Sequence, residues 1–150
     1  MYKQRLFGVL AFLCAYCFAA PSAYADVSLS STGMAHGTQS AVEFAKFQTM
    51  VKGFNASGER FRMDASCPSA CTMFLGIRNV CIAPGSTIAV HAGGIIATGI
   101  PNPRITAVMQ SYYKPALRKY IVSNHFMDTF DFHTVSGEEL IKRFGYARCP

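Results

Sequence analysis

Apolar and polar positions alternate in short runs in the first half of the chain and recur at helical spacing in the second. Val27 to Ser30 alternates and predicts a short strand. Ser31 to Gly37 is a glycine-containing loop. Ser40, with Glu43 three residues on, has the spacing of a capping box; Ala41, Phe44, Phe47 and Val51 then form one apolar helical face, ended by Gly53. Asn55 to Ser57 matches a glycosylation sequon and is read as a plain turn. Arg60 to Asp64 predicts a second strand. Ser66 is placed as the cap of a second helix, with Pro68 in its first turn and the run continuing through Met73, Phe74 and Leu75 to Gly76. Val80–Ala83 and Thr87–His91 are β-branched segments around a Pro84-Gly85 turn.

The C-terminal half reads as helical. Ile105, Val108, Met109 and Tyr112 share a face, and Pro115 breaks that pattern and opens a helix through Leu117, Tyr120 and Ile121. Ser136 and Glu139 form a second capping box before Leu140, Ile141 and Phe144, with Gly145 as C-cap. No repeat or linker divides the pattern, which predicts a single α/β domain over residues 26–150.

Composition changes how the first 25 residues are read. Lys3 and Arg5 precede an apolar run of about 15 residues, short of the roughly 20 that span a bilayer. Ala23-Tyr24-Ala25 then supplies a cleavage box, so residues 1–25 read as a signal peptide and the domain as exported, periplasmic or secreted, with no stable membrane span after cleavage. Cleavage takes two of the 14 basic residues and lowers the net charge of +6 by two. No basic run is long enough to suggest a nucleic-acid partner. Six cysteines become four: Cys67, Cys71, Cys81 and Cys149. In an oxidising compartment these pair. With Cys67 and Cys71 both expected on one helix, the pairings are Cys71–Cys81 with Cys67–Cys149, which is preferred, or Cys67–Cys81 with Cys71–Cys149. A metal site on Cys67, Cys71 and His91 is the weaker account of the same residues, and no cofactor is expected.

Asp64 to Gly94 carries the candidate chemistry. Ser69 lies in the first turn after a strand and before an apolar helix, and His91 ends a later strand. A serine hydroxyl becomes a nucleophile when a base takes its proton, histidine titrates near neutrality, and helix-start N–H groups favour a developing oxyanion. The bland alternative makes Ser66 and Ser69 helix caps and His91 a packed strand-end residue. Phe126, Phe130 and Phe132 read as core or lid residues. Arg118, Lys119 and Lys114 with Tyr112, Tyr113 and Tyr120 read as a solvated face rather than a partner surface.

The segment resembles the serine–histidine region of the Clp peptidase/crotonase superfamily. It is most similar to small exported proteins with a Cys-x-Ser-Ala-Cys-Thr motif, here Cys67 to Thr72, and a later Val-His-Ala, here Val90 to Ala92. The resemblance implies a small, truncated Clp/crotonase-like β-α-β core with a helical C-terminal half, stabilised by disulfides. It implies Ser69 as nucleophile, His91 as base and Asp131 as the third catalytic residue, with Asp128 second. The oxyanion donors would be Ala70 and a glycine from the early loop, Gly33 or Gly37. A serine hydrolase or peptidase acting on a peptide or acyl substrate follows, in a fold that often forms homo-oligomers. The serine-to-histidine interval is shorter than in the peptidases and the early loop has no adjacent Gly-Gly pair. The second reading is therefore a non-catalytic, disulfide-stabilised protein that binds a protein partner.

Overall fold

The computed structural model describes residues 26–150; the predicted leader lies outside them. Val27–Ser28 forms β1 and runs into a one-turn helix, α1 (Leu29–Thr32), capped by the Ser28 hydroxyl. The predicted strand through Ser30 is thus cut short, because the Ser30 amide and hydroxyl both bond the Asp64 carboxylate. Helix α2 (Ala41–Ser57) starts where Ser40 accepts from the Glu43 amide and ends at left-handed Gly58. It continues past Gly53, the expected terminus. A mid-helix glycine costs about 1 kcal/mol. That loss is offset by Phe54, edge-on to Phe61 at 4.9 Å, and by Asn55, which bonds the Gly76 carbonyl and the Arg78 amide. The sequon segment is therefore the last turn of a helix rather than a loop.

Strand β2 (Phe61–Met63) lies between β1 and β4 (Val80–Ile82), and β9 (Ala147–Arg148) completes a four-stranded sheet in the order β1-β2-β4-β9, parallel throughout. A second sheet holds β3 (Ser66–Pro68) parallel to β5 (Thr87–Val90), and β5 antiparallel to β8 (His133–Ser136). Between β5 and the helices α3 (Pro103–Ser111) and α4 (Pro115–Ser123), a small hairpin pairs β6 (Gly94–Ile95) with β7 (Ile100–Pro101). The second capping box forms as expected and opens α5 (Gly137–Lys142), which ends at Arg143, ahead of the predicted Gly145.

Ser66 to Gly76 departs most from expectation. Ser66–Pro68 is strand, and the helix that follows is a 310 helix, Ser69–Gly76. Every residue from Ser69 to Leu75 is buried. Phe74 packs between Phe47 of α2 and Phe61 of β2, with ring centroids 5.4 and 4.9 Å away, so this segment is the centre of the core.

The disulfides correct both pairings expected from sequence. Cys67 bonds Cys71, and Cys81 bonds Cys149. The expectation failed because Cys67 is on an extended strand, not on a helix beside Cys71. The chain turns at Ser69 and brings their Cα atoms to 5.2 Å, within disulfide range. Neither thiol is then free to join His91 in a metal site. Among the described residues no helix is long and apolar enough to cross a membrane.

Candidate functional site

Parallel pairing of β3 and β5 decides which residues meet. Pro68 is in register with Ala89, so the carboxyl ends of both strands finish at the same level, one running into Ser69 and the other into His91. The ends of parallel strands are where sheets leave room for ligands. A cavity of about 190 Å³ opens there, with Ser69, Ala70 and His91 in its wall and Phe44, Ile105 and Met109 giving it an apolar surface. A second, more open cleft reaches Ser69 and His91 from the other side, past Gly37, Glu43 and Phe132.

Ser69 holds a left-handed backbone, φ 54°, which a residue with a side chain adopts at a cost of about 1–2 kcal/mol. The turn is held from below. Thr72 Oγ1 donates to the Ser69 carbonyl at 2.6 Å, and the Tyr113 hydroxyl donates to Thr72 Oγ1 at 2.6 Å. Burial pushes the Tyr113 phenol far above its ordinary pKa, so it stays a donor. This chain of hydroxyls was not legible in sequence, since Thr72 and Tyr113 come together only when α3 packs on the 310 helix.

His91 is 3% exposed, and neither ring nitrogen has a hydrogen-bond partner. Phe132 meets its ring edge-on at 4.6 Å and Phe130 lies 5.9 Å away. Burial lowers its pKa, opposed by a weaker polar contact with the Ala92 backbone that falls short of a hydrogen bond. The imidazole is therefore held neutral at physiological pH, in the form that accepts a proton. The His91 backbone is fixed on its C-terminal side: the Ala92 amide donates to the Thr129 carbonyl and the Gly93 amide to Thr106 Oγ1.

The expected third residue does not reach the histidine. Asp131 is exposed and its carboxylate accepts from Thr129 Oγ1 at 2.9 Å, while Asp128 pairs with His125. The tight turn at Thr129 directs Asp131 back on itself and leaves aromatic rings, not a carboxylate, against His91.

The early glycines separate cleanly. Gly37 abuts the serine: a Cβ at position 37 would stand 2.7 Å from Ser69 Cβ and 3.2 Å from its Oγ. Gly33 is the left-handed C-cap of α1 with open space around it. The loop carrying Gly37 is tied down by its neighbours. His36 Nδ1 bonds the Gly37 carbonyl at 2.8 Å, its Nε2 lies 3.6 Å from Glu43, and Thr38 Oγ1 donates to the same carboxylate. Glu43 was legible only as a helix-start residue; its reach back to Thr38 and His36 is a product of the loop's path. Ala70 follows Ser69 in the first turn of the 310 helix, where amides have no partner within the helix.

The site thus holds a hydroxyl on a strained turn, a buried neutral imidazole and the Gly37 backbone close against the serine, on the edge of an apolar cavity. No protein-family model, curated protein or solved structure matches the chain.

Proposed function

We propose that this chain is an exported serine hydrolase with a Clp/crotonase-like core, acting on an acyl bond through Ser69 and His91. One observation carries the reading. A serine in a left-handed turn and a buried histidine with both ring nitrogens unpaired share the wall of one cavity. Strained backbone and orphaned buried polar atoms both cost stability, and they concentrate where chemistry needs them.

In this reading His91 accepts the Ser69 proton as Oγ attacks the carbonyl carbon of the substrate. The carbonyl electron pair moves to its oxygen, which the Gly37 and Ala70 amides stabilise. Collapse of the adduct expels the leaving group, which takes the proton from His91. Water then attacks the acyl-enzyme with His91 as base, releasing the acid and restoring Ser69. The Ser69–His91 hydrogen bond, absent in this structure, has to close when substrate binds, as catalytic contacts often do. The parallel sheet β1-β2-β4 and the crossing from β3 through the 310 helix support the Clp/crotonase-like core. The leader pattern and the two disulfides support export.

A fluorophosphonate probe tests the reading. Wild-type protein is expected to be labelled at Ser69, with labelling abolished in Ser69→Ala and reduced by about 100-fold or more in His91→Ala. Absence of labelling in correctly folded wild type overturns it. The absence of a carboxylate at His91 favours a second reading, a non-catalytic binding protein. That reading predicts that Ser69→Ala leaves the protein's biological role intact.

A further inference from the structure

We infer that a second site, at the far end of the 310 helix from Ser69, binds a small organic phosphate. A groove of about 840 Å³ runs between the C-terminal end of α2 and the Ser111–Lys114 connection. Its size is that of ligand-binding clefts, about 300–1,000 Å³. Lys52, Arg78 and Lys114 line it and no carboxylate does. Among the described residues, none of the three head groups lies within 4.0 Å of an acidic side chain. Lys142, Arg143 and Arg148, by contrast, are all paired with Glu138 or Glu139.

Two of the three cations are held in place by neutral groups. The Arg78 guanidinium donates to the Asn55 carbonyl and its amide to Asn55 Oδ1, which fixes it against the end of α2. Lys114 donates to the Gly145 carbonyl and lies 4.6 Å over the Tyr146 ring. Such contacts order the head groups and leave their charge uncompensated. Both retain further N–H donors, since guanidinium has five and ammonium three. Ordered, unneutralised cations around a concave surface focus a positive potential and favour a doubly charged anion. Between them the half-buried Tyr112 ring lies directly over Gly76, with the buried Leu75 and Ile77 behind it. A bare ion would leave the open face of the Tyr112 ring uncovered. A phosphate monoester with an apolar or aromatic body satisfies both halves of the groove, and it carries close to two charges above its second pKa of about 6.

Titration of the disulfide-intact protein at pH 7.5, followed by amide NMR shifts, tests this with three probes: phenyl phosphate, inorganic phosphate, and phosphatidylcholine vesicles with and without phosphatidylglycerol. Phenyl phosphate is expected to shift the amides of Gly76, Arg78 and Lys114, to bind more tightly than inorganic phosphate, and to weaken as salt is raised. Combined Lys52→Gln, Arg78→Gln and Lys114→Gln substitution should weaken it about tenfold or more. The charge-matched set Lys46→Gln, Arg118→Gln and Lys119→Gln should leave it unchanged. Lys52→Gln alone, whose head group makes no hydrogen bond with a described residue, guards against loss through misfolding and should weaken binding about threefold. The site is overturned by no shift with phenyl phosphate, by equal loss in the two triple variants, by inorganic phosphate binding as tightly as the ester, or by a response confined to phosphatidylglycerol vesicles.

Discussion

Gly37 and Ser69 are in contact so close that no side chain fits between them: a Cβ on Gly37 would overlap the Ser69 Cβ at 2.7 Å. Backbone of the His36–Ser40 loop is thereby laid against the serine hydroxyl, where a developing negative charge would need its donors. Gly37→Ala has to move the loop or the serine. It is expected to lower fluorophosphonate labelling about tenfold or more. Gly33→Ala, with open space around it but a left-handed backbone, is expected to cost about 1 kcal/mol in urea unfolding and leave labelling unchanged. Equal labelling of the two variants would remove Gly37 from the site.

The strain at Ser69 gives a stability test independent of chemistry. Glycine adopts a φ of 54° without the Cβ penalty that serine pays. Ser69→Gly is expected to be as stable as wild type or more stable, by up to about 1 kcal/mol, while losing all labelling. A large destabilisation would mean that the serine side chain holds the fold together.

His91 sets a pH dependence with a definite sign. Its folded pKa lies below the unfolded value of 6.5, so the unfolded chain binds the proton more readily. Its contribution is fully present above pH 6.5, declines as pH falls from 6.5 through the lower folded value, and levels off below that. Labelling should follow the same direction, falling in acid with a midpoint under 6.5 as the imidazole loses its free electron pair. Urea unfolding from pH 7.5 to 4.5, compared with His91→Gln, checks the stability half. A variant with the same acid slope as wild type would assign that slope to other groups.

The two disulfides close loops of very different length. Cys81–Cys149 joins positions 68 apart and Cys67–Cys71 positions 4 apart. Loop-closure entropy assigns about 4 kcal/mol to the first and about 2 kcal/mol to the second. Paired alanine substitution at Cys81 and Cys149 should therefore lower urea stability more than the same change at Cys67 and Cys71. The short bridge spans the Ser69 turn, so its loss is expected to show first in labelling. The reverse order of stabilities would place the chain's main restraint at the turn.

Local signals in the chain were strong where one residue's own chemistry decides the outcome. Ser40 and Ser136 cap helices as their spacing indicates, Pro115 opens a helix, and Ser69 and His91 are both singled out by residue type and by the punctuation around them. The errors have a common cause. Ser66 and Pro68 carry helix-start chemistry, yet pairing with β5 keeps them extended, because the ladder to Thr87 and Ala89 satisfies their backbone in a way a helix start would not. The disulfide pairing followed from that misplacement. Gly53 has the residue type of a helix stop, but packing of Phe54 and Asn55 outweighs its propensity.

The residue types and their local order determined the capped helices, the α/β pattern, the four cysteines left after the predicted leader and the candidate pair Ser69 and His91. Only the tertiary structure decided which partners those residues have. Register between β3 and β5 brought Ser69 and His91 to one cavity, and the turn at Thr129 kept Asp131 away from the histidine. The path of the early loop chose Gly37 over Gly33, and packing of α3 placed Tyr113 under the serine turn through Thr72. Each of these is a contact between segments distant in sequence. Such contacts depend on how much surface and how many backbone hydrogen bonds the whole chain satisfies together, a quantity no local spacing encodes.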